Sequence, residues 1–278
     1  MDIERREFLG ITGAGTLAGR IGRLLPVERQ LPSIGLQLYS VRDDLRHDFD
    51  GTLQKVSAIG YGEVEFAGYS DHTPREVTAA LSRSRLSAPS AHFDFQHIEN
   101  DWPATLEAAR AIGHRYIVCS WVNEGRRRSL GDWKHIVEAL NRAGAASKSA
   151  GIQLAYHSHV YEFAPLDGKL PYDFLLAETD SQLVKFEMDV YWLVKGNQAP
   201  LDYFSRYPGR FPLLHVKDRD SRPDRGDTAV GRGIIDFKKI FARADEAGIK
   251  HYFVEQENSS TPWEDIRASF DYTKNLRF

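Results

Sequence analysis

The 278-residue chain has one cysteine, Cys119, which excludes an internal disulfide and any cysteine-rich metal site. It stands in "YIVCSW" and reads as a buried strand residue. A strong charge of either sign is missing as well. The formal net charge is −3, so a positive face for duplex DNA or RNA would have to be built against the overall balance. The one basic run, Arg126-Arg127-Arg128, is short and reads as a solvated loop. No stretch reaches the ~20 apolar residues that a membrane span needs. A disordered composition is absent too, because 42% of residues are hydrophobic against 27% charged. The length suits one large α/β domain better than two small ones.

The N-terminus differs in character. "ERREFLGITGAGTLAGR" carries Arg5-Arg6, then Phe8-Leu9 and a Gly/Ala-rich stretch, and resembles a twin-arginine export signal. A short surface helix with two chance arginines is the alternative. "GAGTLAG" is not a dinucleotide loop, since no strand precedes it and no acidic residue follows in a βαβ unit. Residues 1–30 are therefore set aside as a leader, and 31–278 as the catalytic domain. The expected location is exported or periplasmic, with the cytoplasm the alternative.

One phrase recurs: "SAIGYGEVEF", "RAIGHRYIVC", "KSAGIQLAYH" and "DEAGIKHYFVE". Each is a helix end, a glycine and a short apolar strand. Gly60, Gly113, Gly151 and Gly248 suit the left-handed position just past a helix. "HTPREVTAAL" offers Thr73 as N-cap, Pro74 at the first helical position and Glu76 to close a capping box. "DFKKIFARADEAG" puts Phe237, Ile240, Phe241 and Ala244 on one helix face. Strands are expected near 34–38, 63–66, 88–92, 116–120, 152–157, 183–189, 212–217 and 251–255. Eight βα units without a composition break predict an α/β (β/α)8 TIM barrel, with a doubly wound open sheet as the alternative.

Such barrels place their chemistry at the C-terminal strand ends. Those ends carry Glu65, His92, His157 with His159, Asp189, His215 and Glu255, each directly after apolar residues. A single one reads as a satisfied core histidine or a capping acid. Together they gather carboxylates and imidazoles at one mouth.

"YHSHVYEF", "EMDVYW", "LLHVKDRD" and "FVEQE" resemble the xylose-isomerase-like TIM-barrel superfamily of sugar isomerases and epimerases over about residues 33–278. With its leader the chain resembles an exported branch of that group. The resemblance implies one divalent cation held by Glu, Asp, His and Glu at the ends of the fifth to eighth strands. Asp189, His215 and Glu255 match three of these positions. His157 stands where many relatives have the strand-5 glutamate; Glu162, five residues on, is taken as the fourth ligand and His157 as its rival. Carboxylates and imidazole without thiolate select a borderline-to-hard cation: Mn²⁺ first, with Mg²⁺, Co²⁺ or Zn²⁺ as alternatives.

The implied function is a metal-dependent isomerase or epimerase that moves a proton next to a carbonyl on a free sugar, polyol or keto-glycoside. Glu255, Glu162, His157 and His159 are the candidate acid–base groups. Lys217, beyond His215, is the candidate to neutralise a developing oxyanion, with a structural salt bridge to Asp218 or Glu187 as the alternative. Glu65, His92, Trp121 and Trp192 are expected to contact substrate, and Tyr39 lies near a strand end too. Three alternatives stay open: a lyase or dehydratase working by β-elimination on a 3-keto-glycoside or inosose, a phosphodiesterase like endonuclease IV, and a sugar-binding barrel with a dead site. The expected partner is a small carbohydrate, without nucleic acid. The oligomeric state is left open, a homo-oligomer among the options.

Overall fold

The computed structural model describes residues 28–222 and 226–278. Arg5-Arg6 and nearly all of the expected leader lie outside the described residues. Among the described residues there are ten strands: β1 Gly35–Gln37, β2 Glu63–Ala67, β3 Ser87–Asp94, β4 Tyr116–Trp121, β5 Gln153–His157, β6 Val184–Asp189, β7 Leu213–Val216, β8 Asp218–Arg219, β9 Asp227–Thr228 and β10 His251–Val254. Eight of them close a parallel barrel in the order β1-β10-β7-β6-β5-β4-β3-β2, with helices between them in sequence. All eight coincide with the strands expected from the sequence. The open-sheet alternative is excluded because β1 pairs with both β2 and β10.

The local signals act as their chemistry requires. Thr73 and Glu76 form the reciprocal capping box ahead of the helix Pro74–Ser84. Gly60, Gly113, Gly151 and Gly248 all take positive φ where a helix hands over to a strand. At Gly60 (φ 121°) a Cβ would also lie 2.5 Å from the Phe270 ring, so both backbone and space demand glycine there. Phe237, Ile240, Phe241 and Ala244 are buried together, although their helix divides into Phe237–Ala242 and Ala244–Ala247.

The small β8–β9 ribbon was not foreseen. Asp218 of "HVKD" organises it. Its carboxylate accepts the backbone N–H groups of Arg219, Gly231, Gly233 and Ile235, which folds the 218–235 loop back on itself. No salt bridge from Lys217 to Asp218 or Glu187 is present among the described residues; its partners are Glu255 and Glu257.

The barrel has two interiors. A large core packs the outer strand faces against the helices. A small separate one, Val118, Ala155, Leu213 and Phe253, fills the inside of the barrel. Side chains alternate along a strand, so two residues further on each strand points to the same face. From that small core the next inward positions on three strands are His157, His215 and Glu255. The barrel axis thus passes from an apolar floor to a titratable layer within one strand period.

Candidate metal centre

β6 contributes two inward carboxylates, Glu187 and Asp189, at the period of two; both are fully buried. Asp189 pairs in register with His215 on β7. Around the His215 ring the polar groups divide by nitrogen. Nδ1 lies 3.0 Å from Glu255 Oε2 and 3.8 Å from Asp189 Oδ2. Nε2 lies 2.7 Å from Glu65 Oε2 and 3.1 Å from Glu187 Oε2.

Asp189, His215 and Glu255 offer ligand atoms close enough to share one cation. Asp189 Oδ1 accepts the Trp192 N–H at 3.0 Å, while Oδ2 is buried without a hydrogen-bond partner. Burial, with Glu255 close by, pushes the Asp189 carboxyl up to about 7 against the pull of Lys217. A buried carboxylate oxygen without a donor is costly unless a cation meets it, so the residues present fit a divalent metal. The donor set is oxygen and nitrogen only, which suits Mn²⁺, Mg²⁺, Co²⁺ or Zn²⁺.

A second group, His92, His157, Glu187 and His215, also has metal-like spacing. Its members are already linked to each other through shared protons, although Glu187 Oε1 is buried without a partner. His92 Nε2 is 2.6 Å from Glu187 Oε2 and 3.0 Å from Glu65 Oε2, and His157 Nδ1 is 3.0 Å from Glu187. Burial alone would depress His92, but Glu65 and Glu187 raise it to about 10, so it is an imidazolium at neutral pH. Glu187 is held at about 2: burial and Glu65 raise it, and His215 and His92 outweigh them. Burial also raises Glu65, and the same two histidines hold it well below the usual carboxylate range. This group is the support that fixes the His215 ring from its Nε2 side, as carboxylates do for metal-bound histidines elsewhere.

Behind Glu255 sits Lys217, fully buried. Its Nζ lies 3.3 Å from Glu255 Oε2 and pairs with Glu257. Burial disfavours the ammonium, but Glu255, Asp189 and Glu257 raise it far above its ordinary value. Glu255 answers in the opposite direction: burial raises its carboxyl, and Lys217 and His215 hold it well below the usual range.

The layer opens into a cavity of about 1020 Å³. His92, His157, His159, Trp121, Trp192, Tyr39 and Glu255 line it, as expected of residues at strand ends. Burial pushes His159 down to about 3 and His157 well below its ordinary value, so both rings are neutral at pH 7. His159 Nδ1 and Trp192 Nε1 are buried without partners.

Three expected residues stand elsewhere. Glu162 belongs to neither ligand group and does not line the cavity. β5 stops at His157, and a 3₁₀ turn over Tyr161–Phe163 carries Glu162 away from the layer. There Tyr156 Oη donates to its Oε1 (2.7 Å) and the His159 N–H to its Oε2 (2.9 Å). The early end of β5 also means that His157 and His159 are not on one strand face; their rings meet edge to face at 4.8 Å instead. Glu65 lies beneath the cavity, where Gln37 Nε2 also donates to its Oε2 at 2.8 Å. Lys217 is likewise behind the lining, so it faces Glu255 and Glu257 rather than a ligand. One residue of the site, Glu257, escaped the sequence reading, and Glu187 was named there only as a possible salt-bridge partner of Lys217. Each lies two positions from a named ligand; strand alternation applied to "EMD" would have found the role of Glu187, while Glu257 lies past the end of β10 and no strand rule reaches it.

The sequence profile described as Xylose isomerase-like TIM barrel matches residues 53–276 of this chain. The inosose dehydratase of Lacticaseibacillus casei is 27% identical over 242 residues, covering 74% of this chain and 80% of that protein. A sugar phosphate isomerase/epimerase from Parabacteroides distasonis superposes with a TM-score of 0.76 at 28% identity, covering 87% of this chain and 94% of that one. The crystallised IOLI protein with a bound zinc atom superposes with a TM-score of 0.69 over 87% of this chain and 96% of that one; at 14% identity the likeness is one of fold alone.

Proposed function

Since the chain belongs to the xylose isomerase-like TIM-barrel family, we propose that it is a divalent-cation enzyme that moves the proton next to a carbonyl of a sugar-like substrate, with isomerisation or epimerisation as the outcome. The observation that carries this reading is the donorless Asp189 Oδ2 beside His215 and Glu255, the last of which lines a cavity walled by Trp121 and Trp192.

Asp189, His215 and Glu255 hold the cation, proposed to be Mn²⁺, and His157 is the nearer of the two candidates for a fourth ligand because it lines the cavity while Glu162 does not. When bound, the cation supplies positive charge that makes a carbonyl's neighbouring C–H more acidic. Lys217 keeps Glu255 ionised and fixed in place. His159, with an unpartnered Nδ1 in the cavity, is the group proposed to accept a substrate proton; burial makes it a weak base, so the step depends on the cation acidifying the C–H. The Trp121 and Trp192 rings orient the sugar's apolar face. The residues outside the described range, Arg5 and Arg6, are proposed to direct the protein to an exported location.

A second reading, water elimination, is favoured by the inosose dehydratase relatives. It starts with the same proton removal, and the hydroxyl on the next carbon then departs as water. Incubating metal-loaded protein in D₂O with keto-sugars, 3-keto-glycosides and inosose separates the outcomes. Deuterated isomers support the first reading, and an unsaturated or deoxygenated product the second. A protein that holds stoichiometric metal and exchanges no substrate C–H overturns both.

A further inference from the structure

The cavity is too large for one ring. A hexose displaces on the order of seven waters at about 30 Å³ each, roughly 200 Å³, against a cavity of about 1020 Å³. Its aromatic lining forms two sets. Trp121, His159 and Trp192 surround the metal end, with ring centroids 5.1 Å (Trp121–His159) and 5.6 Å (His159–Trp192) apart. Tyr69, Phe93 and His97 form another, at 5.5 Å (Tyr69–Phe93) and 5.3 Å (Phe93–His97). Tyr69 stands on the loop after β2, Phe93 near the end of β3 and His97 in the helix Phe95–Asn100, and none of the three belongs to the cation-ligand group. Tyr69 Oη there is buried without a partner. The loop that carries it holds Ser70 and Asp71 at φ 49° and 64°, a conformation that is costly without glycine and that clusters at ligand sites.

Charge narrows the occupant. Among the described residues, four carboxylates line the cavity, Asp71, Asp94, Glu255 and Glu257, and no lysine or arginine does. A phosphate group would meet these four carboxylates and, apart from the metal, the His92 imidazolium, which Glu65 and Glu187 already pair, so a phosphorylated substrate is disfavoured.

We propose that the cavity takes a neutral two-ring substrate of the glycoside class. The reacting ring lies at the metal end, and the second ring lies in a subsite formed by Tyr69, Phe93, Asp94 and His97. This deepens the proposed function and rests on its placement of the reacting ring. Asp94, hydrogen-bonded to His97 Nδ1 at 2.6 Å, presents acceptors for hydroxyls, and Phe93 a face for the sugar's C–H groups.

The test is a fluorescence titration of the full, Mn²⁺-loaded chain, which reports on Trp121 and Trp192. The probes are glucose, glucose 6-phosphate, maltose, cellobiose, trehalose and sucrose. At least one disaccharide is expected to bind ~10-fold tighter than glucose, and glucose 6-phosphate more weakly than glucose. In Phe93→Ala the disaccharide-to-glucose ratio of affinities is expected to fall to about one. His97→Ala, at a half-exposed position, provides the same reading if Phe93→Ala fails to fold. If every disaccharide binds no better than glucose, or if glucose 6-phosphate binds best, the proposal is overturned. The titration does not depend on turnover, so an absence of C–H exchange would overturn the proposed reaction while leaving the subsite to stand or fall on binding.

Discussion

Replacing Glu162 with glutamine separates two roles that the sequence could not. The side chain is fully buried, and burial pushes its carboxyl up to about 8, against the opposing pull of Tyr156. An acid raised this way in the folded state keeps its proton while the unfolded chain, near 4.5, has lost it. Its contribution to stability is complete below about pH 4.5 and is lost as pH rises to about 8. At about 1.4 kcal/mol per pH unit, that interval comes to about 5 kcal/mol as an upper value. Glutamine has the same shape, carries no titration, and offers its amide to Tyr156 Oη and its carbonyl to the His159 N–H. The stability of Glu162→Gln relative to wild type should therefore climb steadily between pH 5 and 8, measured by urea unfolding of the metal-free proteins across that range. Metal content by elemental analysis should stay at the wild-type level, because Glu162 lies outside the ligand group. Parallel stability curves would refute the burial argument. An emptied metal site would refute the geometry and restore Glu162 as the fourth ligand.

Three further outcomes are expected. His215→Ala should lose the cation. In the wild type His215 is held protonated by Glu187 and Glu255 despite burial, so a cation must displace that proton. The dissociation constant should fall by about two log units per pH unit below the Asp189 value of about 7 and by about one above it, up to the His215 pKa; calorimetry in two buffers would detect the released protons, and a flat profile would refute this. Lys217→Met leaves Glu255 and Glu257 without their ammonium and should cost about 3–5 kcal/mol at neutral pH by urea unfolding. Because Glu255 is depressed, that pairing is present above about 4.5 and is lost as pH falls toward its folded value, so the gap to wild type should close in acid. Arg5→Lys with Arg6→Lys should retain the protein in the cytoplasm on fractionation, and unchanged export would show that the arginine pair directs nothing.

What the sequence settled by itself is local. Glycine after each helix, a capping box before another and apolar runs of strand length placed eight strands correctly, because each signal acts within a few residues of backbone. The carboxylates and imidazoles that follow those runs marked the layer too, since leaving an apolar run at a strand end is itself a local event. Which of them meet was decided by the barrel. Asp189, His215 and Glu255 are joined by the register of β6, β7 and β10, and the donorless Asp189 oxygen exists only after that closure. Glu162 shows the limit most clearly. Five residues from His157 it was within reach of the cation on the chain, but the end of β5 and the 3₁₀ turn over Tyr161–Phe163 delivered it to Tyr156 instead. Spacing along a chain bounds a distance; only packing gives a direction, and the partners of a buried charge are chosen by direction.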